Sequence, residues 1–177
     1  MNVAEVSELS PDERRALFER ESGVAAVRGD VEAIVERVRS EGDVAVREFS
    51  TEFDGVDVGN IDITDQAARA VDQIDGDLRD AIEDAAANIE AFHERQRPED
   101  WREEFDGRDL GRRFRPLSSA GVYAPGGTAA YPSSALMGII PAKVAGVEHV
   151  AVATPPAETI NPATLAAIEV AGADAVY

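Results

Sequence analysis

Apolar residues recur at alternating steps of four and three through Leu78, Ile82, Ala85, Ile89 and Phe92. This spacing predicts an amphipathic helix that begins at Asp75. It has to stop near Arg97, because Pro98 disfavours helical geometry in the residue before it and has no N–H to donate. Further upstream, Ser10, Pro11 and Glu13 read as the N-cap, first helical residue and capping-box partner of an arm helix over residues 9–21. After Gly29 and Asp30, the set Val31, Ile34, Val35 and Val38 predicts a second helix, closed by Gly42 as a left-handed C-cap. The chain restarts at Asp43, and Val46, Phe49 and Phe53 are expected on a buried face until Asp54 and Gly55 turn it. Ile61 with Ile63 is expected to form one short strand, and Asp65 to cap a small helix carrying Ala67, Val71 and Ile74.

The segment 98–109 reads as a polar loop held by Trp101 and Phe105. From residue 110 to 124 the pattern is strand-like, broken by Pro116. Beyond it the texture changes to a strand over 120–124, a glycine-containing loop over 125–132, a helix over 133–145 kinked at Pro141, a strand over 147–154, a helix over 161–171 and a third strand starting at 173. The fold class is therefore α/β, a helical amino-terminal part leading into incomplete Rossmann-like βαβα units. Three regions are expected: an arm helix over 1–22, a mainly helical part over 23–120, and half of a Rossmann-like domain over 121–177. A parallel sheet of so few strands would leave an open edge, so the chain is expected to be a fragment.

Charge and composition narrow the function. The formal net charge is -18, from 35 acidic against 17 basic residues. Such a chain repels phosphate backbones, so neither nucleic acid nor an anionic membrane surface is the expected partner. The acid is dispersed along the whole sequence and Lys143 is the sole lysine, a pattern suited to a salt-rich cytosol where charges are screened over a few ångströms. Cysteine is absent, which excludes disulfides, thiolate metal sites and a cysteine nucleophile. With no apolar run long enough to span a bilayer and no signal sequence at the start, a cytoplasmic location is the default expectation.

Candidate chemistry concentrates in GVYAPGGTAAYPSS, Gly121 to Ser134. Adjacent glycines after a strand let backbone approach a ligand, and the following helix offers unpaired N–H groups and a positive dipole end to an anion. The spacing is not GxGxxG and no acidic ribose-binding residue follows at the usual distance, so a tight strand-to-helix turn explains the pattern equally well. Tyr123 ends the strand, where open α/β sheets place their ligand crevice, although a tyrosine there could equally be core. Ser133 and Ser134 fit capping better than substrate contact, Tyr131 and Pro132 could shape a pocket mouth, and Lys143 fits a surface salt bridge. His93, beside Glu90 and Glu94, and His149 share no ligand spacing. The acids Glu99, Asp100, Glu103 and Glu104 read as solvated.

The run GVYAPGGTAAYPSSALMGIIPAKVAGVEHVAVATPP, followed by INPATLAAIEVAGADAVY, closely resembles the histidinol dehydrogenases. EGDVAVREFSTEFDG from Glu41 and AAANIEAFHERQRPEDW from Ala85 resemble the same family in the same order. The resemblance covers nearly everything from Val31 onward. It implies an NAD-dependent oxidation of L-histidinol through L-histidinal to L-histidine in histidine biosynthesis, a zinc ion holding the substrate, a homodimer, and two incomplete Rossmann-like domains. Tyr123 matches the family's NAD-contacting tyrosine, with Pro125, Gly126 and Gly127 in the loop beside it and Ser133 reaching toward substrate. The family's zinc ligands and its catalytic Glu and His pair match no residue of this chain. The chain alone is therefore expected to be inactive, with its catalytic and metal residues beyond residue 177. A non-catalytic remnant, or a relative of the same fold acting on another small alcohol, is the alternative.

Overall fold

The computed structural model describes residues 5–7, 9–18, 24–126 and 130–177. Two compact units divide the chain, residues 1–46 and 47–177. In the first, helix α1 (Pro11–Phe18) opens with the expected capping box: the Ser10 N–H donates to Glu13 Oε2 at 2.9 Å and the Glu13 N–H donates to Ser10 Oγ at 3.3 Å. The Ser10 hydroxyl, which donates to the same Glu13 oxygen at 2.7 Å, and after it the Ser10 N–H hold the Glu13 carboxyl below the usual range. The part of this arm expected over residues 19–21 lies outside the described residues. Helix α2 (Val24–Glu41) starts earlier than its apolar spacing suggested, because it runs through Gly29. A mid-helix glycine costs only about 1 kcal/mol relative to alanine, a penalty that flanking i,i+4 pairs such as Arg28–Glu32 and Arg37–Glu41 offset in part. Gly42 closes the helix at φ +61° as expected, whereas Val31 and Val35 remain 50% and 40% exposed.

Helix α3 (Asp43–Phe49) passes into a π-helical turn, Ser50–Asp54, ended by Gly55 at φ +69°. Phe53 stacks on Phe49 at 5.5 Å between ring centroids but stays exposed, so it is not the buried anchor expected of it. No strand forms at Ile61 and Ile63. There, Ile63 rather than Asp65 takes the N-cap position of α4 (Thr64–Ala70), without a side-chain cap, and Asp62 just before it accepts from the Thr64 N–H at 3.0 Å and the Thr64 hydroxyl at 2.7 Å. Asp65 sits inside the first helical turn. A 3-10 turn (Val71–Gln73) leads to α5 (Gly76–Glu94), where Asp75 is the N-cap as expected, accepting from the Asp77 N–H at 2.8 Å. Ile82 is buried and Ala85 and Ile89 pack against the core, but Leu78 and Phe92 at the two ends are exposed.

The expected loop after Pro98 is a β-hairpin instead. Strands β1 (Trp101–Phe105) and β2 (Arg108–Arg112) pair antiparallel, with Phe105 opposite Arg108. Between them Asp106 and Gly107 both take positive φ, +49° and +72°, the signature of a type I′ turn whose twist matches that of the strands. The Asp-Gly pair carried this signal, but the charged residues around it masked the alternation. Trp101 and Phe105 are exposed, so neither is the anchor expected of it. Asp100 is more than a solvated acid: it accepts from the Phe114 N–H at 2.7 Å and pairs with Arg115 at 3.3 Å, closing the base of the hairpin.

The carboxyl-terminal part forms as expected, with slightly shorter elements: β3 (Ser119–Tyr123), α6 (Pro132–Val144), β4 (His149–Ala153), α7 (Pro162–Val170) and β5 (Ala175–Val176). The sheet is parallel in the order β3-β4-β5. Helices α6 and α7 connect its strands and pack on each other, α5 packs on α6, and α4 packs on α7. Ile139, Leu165, Ile168, Val150, Val152 and Val176 fill the core between them. The free side of β5 is partly engaged, since the Ile63 N–H donates to the Val176 carbonyl at 2.8 Å and the Val176 N–H to Thr64 Oγ1 at 3.0 Å.

Lys143 makes the salt bridge expected of it, to Asp174 at 2.5 Å. The same carboxylate accepts the buried β4 strand's Val150 N–H at 2.6 Å. Lys143 first, then this N–H, hold the Asp174 carboxyl below its ordinary range. A depressed carboxyl contributes stability above its unfolded-state pKa and loses it as pH falls through the folded one. Asp174→Asn keeps an acceptor for Val150 and removes the charge. We expect it to cost about 0.5–1 kcal/mol at pH 7, the ion pair being partly screened by solvent. In urea melts from pH 7 down, its deficit against the parent chain should shrink below about pH 4; a deficit that grows with acidity contradicts the assignment.

Candidate functional site

Three parallel strands bring their carboxyl ends to one rim. Tyr123 lies opposite Ala153 in the β3-β4 register, and the ladder continues one step further where the Ala124 N–H donates to the Ala153 carbonyl at 2.9 Å. On the other side, the Thr154 N–H donates to the Tyr177 carbonyl at 2.9 Å. Such a carboxyl edge is where open α/β sheets accept ligands.

Strand alternation decides where the rim residues point. Ala120 and Val122 are half-buried on the face that meets α6, while Ser119, Gly121 and Tyr123 alternate to the exposed face. Tyr123 is 67% exposed, which rules out the core role that the residue type alone allowed. Helix α6 can lie close to β3 because Gly138 has no side chain: a Cβ there would come within 2.6 Å of Val122 Cγ1. Beyond Tyr123 the chain buries Ala124, half-buries Pro125 and exposes Gly126. A Cβ on Gly126 would stand 3.3 Å from Pro155 Cδ, so the turns that follow β3 and β4 touch at this point. Gly127 lies outside the described residues.

The loop returns at Tyr131, whose N–H donates to Thr164 Oγ1 at 3.4 Å, tying the start of α6 to the buried first turn of α7. Tyr131 takes the N-cap position without a side-chain cap, and Pro132 occupies N1, where its missing N–H costs no helical bond. Ser133 and Ser134 are therefore first-turn residues rather than caps. Ser133 is exposed at the same end of the sheet as Tyr123. Together the rim offers an aromatic ring, bare backbone and the amino end of a thirteen-residue helix, a set suited to a flat ring system with an anionic group behind it.

The other candidates are not drawn to this rim. His93 is half-buried on α5, edge-on to Phe92 at 5.4 Å, and His149 is exposed at the first position of β4, the far end of the sheet. Among the described residues, no three His, Cys, Asp or Glu side chains are grouped to hold a metal ion. A cleft of about 1100 Å³ also opens at the far end, bordered by Pro98, Phe114, Pro116, Pro141 and Val147. Sequence reasoning missed Thr164 and Pro155 as the residues that brace the rim loop. Neither has a local signal, because both act across elements that are distant in sequence. No helix of the described residues is long and apolar enough to cross a membrane.

Residues 18–177 match a family model described as histidinol dehydrogenase. The histidinol dehydrogenase of Haloarcula marismortui is 75% identical over 177 residues, which is 100% of this chain and 42% of that protein. That of Methanosarcina mazei is 44% identical over 182 residues, again 100% of this chain and 42% of the relative. A crystal structure of histidinol dehydrogenase from Elizabethkingia anophelis superposes with a TM-score of 0.79 at 33% identity, covering 85% of this chain and 36% of that one. The chain thus spans about 42% of the length of the relatives it matches.

Proposed function

The chain belongs to the histidinol dehydrogenase family, and from that we propose that it forms part of an NAD-dependent oxidoreductase of histidine biosynthesis, converting L-histidinol through L-histidinal to L-histidine. The single observation that carries the cofactor assignment is the exposed Tyr123 ring beside the bare Pro125–Gly126 backbone, at the carboxyl rim of a parallel sheet. When bound, NAD accepts hydride from the substrate carbon. The protein's own part is to hold it: Tyr123 packs on or hydrogen-bonds to the dinucleotide, Gly126 and Gly127 let backbone approach it, and the amino end of α6 favours its negative charge. Ser133, in the first turn of that helix, is placed to meet the substrate.

Zinc is part of the same proposal, but the described residues gather no donor set that fits it. Its ligands and the acid-base groups are assigned to sequence outside these 177 residues, and no step is derived through the metal. The working protein is proposed to act in the cytoplasm as a homodimer, with L-histidinol rather than nucleic acid or lipid as its partner.

The test is an assay of the full-length protein with NAD, zinc and L-histidinol, followed by NADH absorbance. Two NADH per L-histidine formed is the expected result, with no turnover by the 177-residue chain alone. Oxidation of a different alcohol with none of histidinol overturns the substrate; histidinol turnover by the isolated chain overturns the placement of the catalytic groups.

A further inference from the structure

Among the described residues, Thr164 is one of two buried polar side chains, only 4% exposed. A buried hydroxyl costs stability unless it is hydrogen-bonded, and its partner here lies 33 residues earlier in the chain: Oγ1 accepts the Tyr131 N–H at 3.4 Å. Helix α7 is a firm base for that contact. Asn161 caps it by accepting from the Ala163 N–H at 2.9 Å, Pro162 fixes its first helical φ, and Leu165, Ala166, Ala167 and Ile168, directly after Thr164, are buried in the core. Tyr131, by contrast, begins α6 with no side-chain cap. Its carbonyl accepts the Ser134 N–H at 3.1 Å, so whatever holds Tyr131 also sets the direction of the first turn of α6.

The connection from β3 to α6 is therefore held at both ends by the next βα unit. At its start the Ala124 N–H donates to the Ala153 carbonyl and the Gly126 backbone lies against the Pro155 ring; at its end Tyr131 hangs on the Thr164 hydroxyl. Thr164 itself has no surface to offer a ligand, so any effect it has on the rim passes through Tyr131. We propose that Thr164 is a positioning residue for dinucleotide binding: its hydroxyl fixes the Tyr131 backbone and so keeps the rim loop and the first turn of α6 in the geometry that receives the cofactor. The inference rests on the cofactor reading above. A loop held in its binding geometry before the ligand arrives spares the complex the cost of ordering it. Loss of the hold then appears in affinity for NAD rather than in the hydride-transfer step.

The test uses the full-length protein, with KM for NAD and kcat measured at saturating L-histidinol beside the melting temperature of each variant. Thr164→Val keeps the β-branched shape and removes the acceptor. Its KM for NAD should rise about threefold to tenfold, the scale of ordering a few groups on binding, with kcat unchanged. Thr164→Ser keeps the acceptor and deletes a buried methyl group, so it should melt below the parent protein yet retain the parent KM. A purely structural role would make KM follow the melting temperature in both variants, and that result overturns the proposal. Hydrogen exchange on the parent protein without NAD probes the hold even if valine prevents folding: the Tyr131 amide should exchange slowly, and fast exchange there overturns the proposal as well. Tyr123→Ala, assayed alongside, separates the two readings. A KM raised in Tyr123→Ala but unchanged in Thr164→Val overturns the positioning role alone, whereas an unchanged KM in both overturns the cofactor site with it.

Discussion

Valine in place of Gly138 should destabilise the chain by about 2–3 kcal/mol, the upper part of the range for overpacking a formed core. Any Cβ at this position lies 2.6 Å from Val122 Cγ1. Val122 cannot turn its methyl aside, because a β-branched residue has few χ1 alternatives and its strand is fixed by β4 on one side. The helix must therefore move away from β3. For a domain of this size such a loss lowers the melting temperature by roughly 2–4 °C per kcal/mol. Shortening the partner should restore much of the loss, so Val122→Ala combined with Gly138→Val is expected to be more stable than Gly138→Val alone. Additive losses would mean that the close approach is not what the glycine serves.

The second large effect concerns ligand rather than stability. Tyr123→Ala in the full-length protein should raise KM for NAD about tenfold or more, corresponding to roughly 1.4 kcal/mol of binding, with a smaller change in kcat. Stability should shift by no more than about 0.5 kcal/mol, since the ring is 67% exposed and surface substitutions away from packing features rarely do more. Tyr123→Phe separates the two uses of the side chain: full retention of NAD affinity assigns the contact to the ring face, and loss assigns it to the hydroxyl. An unchanged KM in Tyr123→Ala removes this residue from the cofactor site. Together the two substitutions separate what the β3-α6 contact does for folding from what it does for ligand.

How far the sequence foretold the structure depended on whether the deciding interaction was local. Asp75 and Asn161 mark helix starts where the sequence placed them, each accepting the N–H two residues on, and the expected Ser10–Glu13 box closes in both directions. The alternation of apolar strand, glycine loop and apolar helix after residue 119 was legible for the same reason. Asp65 reads as a cap because an acid is favoured at a helix start, but the helix begins at Thr64, and the acid that accepts its first N–H is Asp62. Ile61 and Ile63 look like a strand in isolation. They instead flank one, because Thr64 supplies a side-chain oxygen where a strand would supply a carbonyl. The exposed faces of α2 and of the hairpin defeated the assumption that every apolar stripe is covered within the chain that carries it.

At the candidate site the division is similar. For Tyr123 and Gly126 the local pattern allowed a core tyrosine and a plain turn equally well, and the family resemblance singled them out; the structure sets both, exposed, at the rim. The braces behind them, Thr164 and Pro155, belong to the next βα unit and were beyond any short-range pattern. Ser133 and Ser134 were expected as caps but lie in the first turn, because Pro132 takes the first helical position and the cap position falls to Tyr131, whose backbone rather than side chain is used.

The reading turns on whether a dinucleotide rests against this rim, and a crystal structure of the full-length protein with NAD answers that directly. The expected density places the dinucleotide across the carboxyl ends of β3 and β4, in contact with the Tyr123 ring and the Gly126 backbone, its pyrophosphate toward the amino end of α6. Density for NAD at another edge of the sheet, with Tyr123 and Gly126 buried under protein that leaves no room for a ligand, contradicts it.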